Sequence, residues 1–232
     1  MAIGGLSNTY DFAPSLGECG IYAYGMIGLR RAALLQEHMW TLRMAANMLL
    51  GRWSAQTPNL WSVDLQTVEL IPGQTTYTVP ANTVAILDAY VVQGNSGATV
   101  NRLILPISRS EYASYPQPNQ IGQVTVFWFD RLLSPTITFY FAPDESQTQV
   151  QYYRVRQSMD ANLPSGQQVE LPYYWLESFA LGLAHRLAIS YAPDKAAGLK
   201  ALADEAYAIA ADQNVETSQT FISPIVSGYW RA

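Results

Sequence analysis

The 232 residues hold two imidazoles, His38 and His185, each among apolar neighbours at helical spacing. His38 follows Leu35 by three residues and precedes Leu42 by four. That context describes a packed or hydrogen-bonded bundle histidine, whereas a general base needs an independently supplied proton-transfer geometry. Neither histidine falls in an H-E-x-x-H or comparable metal spacing. The single cysteine, Cys19, lies in a glycine-rich stretch and reads as an inert thiol. It excludes an internal disulfide or a thiolate metal cluster within one chain. Carboxylates are the remaining candidates, because glycoside hydrolysis needs only two. Glu111, Asp130, Asp144, Glu145, Asp160 and Glu170 mostly adjoin turn signals, where acids cap or are solvated. Glu177 sits near a helix start, a favourable place for negative charge. The glycine-dense turn at Gly94-Asn95-Ser96-Gly97 lacks the Lys-Ser/Thr of a phosphate-binding loop, and no G-x-S-x-G elbow occurs. The expectation is a non-enzyme with no catalytic residue, cofactor or metal.

The elements that would carry these residues change period twice. Residues 1–24 are glycine-rich without a clear period and read as an extended arm. From Gly25 to Trp53 the row Leu35, Met39, Leu42, Ala46, Leu49 and Trp53 marks one long helix, with Arg43 and Asn47 opposite. Between residues 62 and 157 the period becomes two. A turn at Pro72-Gly73, a hairpin at residues 94–97 and alternating runs such as QVTVFWF and TITFYFA imply six to eight short strands. Both faces of QVTVFWF are apolar, so that strand should be covered on both sides. Helical period returns at Pro172, with Leu176, Phe179 or Ala180, Leu183, Leu187 and Tyr191 on one face. Asp194 reads as the cap of a last helix whose row is Leu199, Leu202, Ala206, Ile209 and Gln213. The fold class expected is α+β. A helical bundle (25–57 and 172–214) would hold an inserted antiparallel β-sandwich or barrel (58–171). A tail, 215–232, would follow.

Composition limits the partners. Only 13% of residues are charged, against roughly 25% in ordinary domains. Such a surface is hard to keep dispersed, so much of it should be covered by other subunits. The net charge of −5 argues against gripping nucleic acid through phosphates. No run approaches the ~18 apolar residues of a membrane helix, and the amino terminus lacks a basic region before an apolar stretch. Fifteen tyrosines could stack on sugars or build interfaces, but most should pack within the sheet. The tail is the exception to ordinary polar ends: Phe221, Ile222, Ile225, Val226, Tyr229 and Trp230 are apolar without a period. It should dock somewhere apolar.

Three stretches together resemble the head-to-tail adaptor (connector) proteins of tailed bacteriophages, especially short-tailed ones. LIPGQTTYTVPANTVAILDAYV is similar to that family's opening hairpin. The run LILPISRSEYASYPQPNQIGQVTVFWFDR, followed by PTITFYFAPDE, is similar to its central strands. LPYYWLESFALGLAHRLAISYAPDKAAGLKALADEAYAIA is similar to its closing helices. The resemblance spans roughly residues 25–214, and the glycine-rich start departs from it. It implies a virion protein, made in the host cytoplasm and placed in the neck, forming a ring, usually dodecameric, beneath the portal. The tail would reach the portal protein, and the β domain would meet a tail or nozzle protein. Double-stranded DNA would pass without sequence-specific contact, with no membrane involved. Arg30, Arg31, Arg43, Glu177 and Arg186 are then candidates for inter-subunit helix faces. Competing readings are another neck or tail-completion ring, a glycan- or receptor-binding β module, or a virion-associated peptidoglycan hydrolase.

Overall fold

A computed structural model describes residue 9 and residues 12–56, 60–95, 98–117, 119–162 and 167–215. The helices begin earlier than the glycine content suggests. Residues Leu16–Ile27 form α1. Ser15 caps it: its hydroxyl accepts from the Glu18 N–H, while the Glu18 carboxylate accepts from the Ser15 N–H at 2.8 Å. This S-x-x-E capping box outweighs the helix-weakening glycines that follow. The expected extended arm is therefore wrong from residue 16 onward. Gly20 is needed for close approach, since a Cβ there would lie 2.1 Å from Leu42 Cδ2.

The expected single helix from Gly25 to Trp53 is also broken. Gly28 adopts φ 97° and ends α1, its N–H donating to the Gly25 carbonyl at 3.0 Å. A 3-10 turn at Arg31–Ala33 leads to α2, Gln36–Gln56. The buried row of α2 includes Leu42, Ala46, Leu49 and Trp53, as expected, whereas Leu35 lies before the helix and is exposed. After the sheet, a 3-10 turn at Tyr173–Trp175 opens α4, Leu176–Tyr191. Phe179, Leu183 and Leu187 of α4 are buried as expected. Pro193 occupies the first turn of α5, Pro193–Gln213, after Ala192. Its ring suits that position because the missing N–H would have no partner there, so Asp194 is not the cap. The buried row of α5 is Leu199, Ala203 and Ala210, with Leu202 and Ile209 turned outward, contrary to expectation. One apolar cluster joins α1, α2, α4 and α5 around Trp53, Trp175 and Phe179.

Between α2 and α4 the chain builds a seven-stranded sheet curled into a half-barrel. Its strands are β1 (Val63–Glu69), β2 (Thr76–Thr78), β3 (Thr83–Asn95), β4 (Ala98–Pro106), β6 (Val126–Asp130), β7 (Thr136–Tyr140) and β9 (Gln147–Arg156). Their order is β1-β9-β3-β4-β6-β7-β2. The fold is thus α+β, and the inserted β region, expected as an antiparallel sandwich or barrel, is a sheet curled into a half-barrel. Most neighbours are antiparallel; β4 and β6 pair in parallel. Two short strands, β5 (Ile121–Gly122) and β8 (Ala142–Pro143), also pair in parallel. The expected hairpin is present: Asn95 pairs with Ala98 across the β3–β4 end. Pro72 and Gly73 form the expected turn, with Gly73 at φ 81° and the Gln74 N–H donating to the Ile71 carbonyl. Val91, Ile104, Phe127, Ile137, Phe139 and Val150 fill the sheet's own core. On the other face of β6, Trp128 meets Tyr112 of the short helix α3, Arg109–Ser114.

Candidate functional site

Five of the groups singled out for chemistry have structural partners or a buried setting. His38 is buried, its Nδ1 accepting from the Leu35 N–H at 3.0 Å. Its ring lies 5.6 Å from that of Tyr24 and 5.1 Å from that of Tyr191. This is the packed histidine expected. Cys19 is buried, and burial, with help from Glu18, pushes its thiol up to about 11. A thiolate nucleophile needs the opposite shift. Glu170 holds a fork-like pair with Arg156 and accepts from the Met159 N–H at 3.1 Å. Asp144 accepts from the Ser146 N–H and hydroxyl, closing the turn before β9. Glu111 lies in the first turn of α3, capped by Ser108. Among the described residues no group of three or more His, Cys, Asp or Glu side chains is placed to hold a metal ion.

The residues proposed for inter-subunit faces fall on several surfaces. Arg30 and Arg31 are exposed in the link between α1 and α2, not on a helix face. The Arg43 guanidinium lies 5.9 Å above the Trp40 ring of α2. Arg186 reaches toward the Met48 carbonyl at 3.5 Å, in a cleft shared with Arg52, His185 and Asp204. Glu177 borders a different depression, against α1. The tail residues Phe221, Ile222, Ile225, Val226, Tyr229 and Trp230 lie outside the described residues.

Two apolar helix faces are exposed, one on α2 that was not singled out in the sequence and one on α5 whose residues read there as core. On α2, Trp40, Met44 and Met48 follow one another at steps of four, and are 57%, 56% and 57% exposed. They lie opposite the buried Leu42–Leu49 row, so α2 is apolar on both faces. Arg52 continues the exposed row by one more step. On α5, Leu202 and Ile209 are 50% and 59% exposed, with Glu205 and Asp212 interleaved on the same face. That face continues from Lys195, whose Nζ donates to the Ile27 carbonyl at the end of α1. Asp204, in contrast, turns toward the cleft against α2 and α4. The two rows therefore occupy different flanks of the helical layer. A further apolar band crosses the outer sheet face, where Leu65 pairs with Tyr153 and Leu103 with Tyr90.

The third feature is an apolar groove of about 910 Å³ between α1 and the start of α4. Its walls include Phe12, Tyr22, Tyr173, Leu176 and Ala180, and its charged groups among the described residues are Glu18 and Glu177. Unfilled apolar space of this size is a place for a ligand or a chain segment.

The described residues thus form an α-helical layer joined to a curled sheet, with exposed apolar rows on α2 and α5. The SU10 adaptor protein family model matches residues 28–226, and the chain belongs to that family of phage head–tail adaptors. Membership makes it a structural adaptor of the phage virion. No curated protein matches the chain. Among the described residues no helix is long and apolar enough to cross a membrane.

Proposed function

We propose that the chain is a ring-forming head-to-tail adaptor, whose copies pack side by side through α2 of one subunit and α5 of the next. The observation that carries this reading is the pair of unlike apolar rows on different flanks. A twofold dimer buries the same patch on both copies, whereas a closed ring needs two different, complementary ones. Charge supports the pairing. Arg43 and Arg52 accompany the apolar residues of α2, while Glu205 and Asp212 accompany those of α5. Glycine supports it too. Gly51 in α2 and Gly198 in α5 are exposed, and a Cβ at either would meet nothing within 4 Å. Each costs its helix roughly 0.5–1 kcal/mol relative to alanine, a cost the isolated subunit does not explain but a closely approaching neighbour helix does.

In this reading the ring, dodecameric as in the short-tailed phages it resembles, sits beneath the portal. The apolar tail 215–232 docks on the portal protein, and the outer sheet band at Leu65, Tyr90, Leu103 and Tyr153 offers the platform for a tail or nozzle protein. Double-stranded DNA passes through the lumen, whose net negative subunits favour sliding over gripping. No catalytic step is assigned to the chain. Native mass spectrometry of the protein mixed with portal rings is the test. The wild-type chain should add to the portal as a multiple of the portal's symmetry, and Met44→Glu with Met48→Glu should abolish the addition. A double variant that assembles normally rules out α2 as the lateral face.

A further inference from the structure

We infer that the apolar groove between α1 and α4 is the resting place of this chain's own carboxy-terminal segment, residues 216–232, in the unassembled subunit. Three observations favour this occupant. The first is where the chain leaves the helical layer. Only Ala192 separates α4 from α5, so α5 runs back antiparallel along α4. Tyr207 of α5 accordingly packs against Trp175, their ring centroids 5.4 Å apart. Trp175 belongs to the same 3-10 turn as Tyr173, which forms one wall of the groove. The described chain therefore ends beside the groove's α4 side.

Length is the second observation. From Tyr207 to Gln213 the helix advances about 9 Å past Trp175, at about 1.5 Å per residue. The polar spacer Glu216-Thr217-Ser218-Gln219-Thr220 follows. Extended, it spans about 17 Å, enough to turn back over that advance and bring Phe221 and Ile222 to the groove. The third is complementarity. The walls are aromatic and aliphatic, and the charged groups at the groove among the described residues are carboxylates, Glu18 and Glu177. The segment supplies Phe221, Ile222, Ile225 and Trp230 with a single cation, Arg231. Glu18 is already bound to Ser15, which leaves Glu177 as the partner for Arg231.

Docking in the groove stands apart from what the segment binds in the virion. Its use as a latch, covering the apolar anchors until a portal displaces them, rests on the portal reading above. The test needs no portal, so the two can fail separately. In the full chain with Cys19→Ala, one cysteine is placed on the groove rim by Tyr22→Cys and one in the segment by Ile222→Cys. A control chain carries Met44→Cys with Ile222→Cys. At submicromolar concentration, the rim pair should form an intramolecular disulfide at least about tenfold faster than the control, because docking raises the local concentration of the segment. Adding Phe221→Asp and Ile225→Asp should remove that preference while the far-ultraviolet circular dichroism and the thermal unfolding midpoint stay those of the parent chain. Equal rates for rim and control pairs overturn the assignment. So does a rim disulfide that forms only between molecules, which would make a second copy's tail the occupant. A rim preference that appears only after residues 1–11 are deleted would assign the groove to the amino-terminal segment instead, and also overturns it.

Discussion

The buried guanidinium of Arg154 grips both oxygens of Asp64, Nε to Oδ1 at 2.7 Å and Nη2 to Oδ2 at 3.1 Å, tying β9 to β1 at the sheet edge. Its Nη1 also donates to Asn82 Oδ1 at 2.8 Å and Thr83 Oγ1 at 3.0 Å, at the start of β3. One cation thus fastens three successive segments of the sheet. Removing the carboxylate strands a buried charge, which typically costs about 3–5 kcal/mol. The Asp64 side chain is 35% exposed, so water can replace part of what is lost. Asp64→Ala should therefore destabilise the protein by about 1–3 kcal/mol, read as a lower denaturant midpoint in urea unfolding. An unchanged midpoint would show that Asn82 and Thr83 alone satisfy Arg154.

Ser178 on α4 and Tyr152 on β9 present the opposite case. Both hydroxyls are buried and find no hydrogen-bond partner among the described residues. A buried unsatisfied polar group costs about 1–3 kcal/mol. Ser178→Ala and Tyr152→Phe keep the local shape while removing that cost. Each should raise stability or leave it unchanged, with a gain of up to about 1 kcal/mol. Alanine also favours the helix at position 178. Thermal unfolding that shows a clear loss for either variant would mean its hydroxyl has a partner in solution.

The titrating groups set where acid weakens the fold. Burial pushes His185 below its ordinary value of 6.5, and Arg186, Lys200 and Arg52 add to the shift against the opposing pull of Asp204. The unfolded chain therefore takes up this proton at higher pH than the folded one. The stability held by neutral His185 is complete above about 6.5 and falls as pH drops toward the depressed folded value. His185→Gln should flatten the stability profile between pH 7 and 5. Below that window the carboxylates take over. Hydrogen bonds from Arg156 and Arg154 hold Glu170 and Asp64 below their ordinary values. Their contribution is present above the unfolded carboxylate range and lost as pH falls through the folded values. Denaturant titrations of the wild type and the variant across pH 7 to 3 separate the two phases. An unchanged slope above pH 5 in His185→Gln would assign that phase elsewhere.

How far the sequence was legible depends on what specifies each element. Alternation in TITFYFA and the turn at Pro72-Gly73 are local signals, and the sheet follows them. Pairing is not local: the parallel contact of Leu105 with Val126, and hence the curl, leaves no trace in a periodicity. The start of α1 was legible in Ser15 and Glu18, but the four glycines between residues 4 and 20 obscured it. Gly20 there serves close packing on Leu42 rather than a turn. On α5 an apolar row was visible, but Leu202 and Ile209 differ from Leu199 in what they face, not in type. Apolar residues meant for a neighbour look like core residues until the subunit's own core is known. The candidate surfaces became visible for that reason only in three dimensions.

Gly51 and Gly198 separate the energetics of the subunit from those of the assembly. In both positions the helix has room for a methyl group within its own chain. Alanine restricts the unfolded backbone and shields the helix, so Gly51→Ala and Gly198→Ala should each stabilise the isolated protein by about 0.5–1 kcal/mol. If α2 and α5 meet across a subunit boundary, the added Cβ lies between two closely approaching helices and must push them apart. Overpacking of that kind costs about 1–3 kcal/mol per site, and a ring repeats the cost at every boundary. The two variants should therefore unfold at higher temperature yet assemble on portal particles at markedly higher protein concentration than the wild type. Thermal unfolding of the free subunit and sedimentation of portal mixtures measure the two effects on the same preparation. Stabilisation without any assembly defect would leave the glycines unexplained and remove their support from the α2–α5 interface. The charge exchange Arg52→Glu with Glu205→Arg then tests that interface independently. Each single change should weaken assembly, and the double variant should recover it if the two residues meet across the boundary.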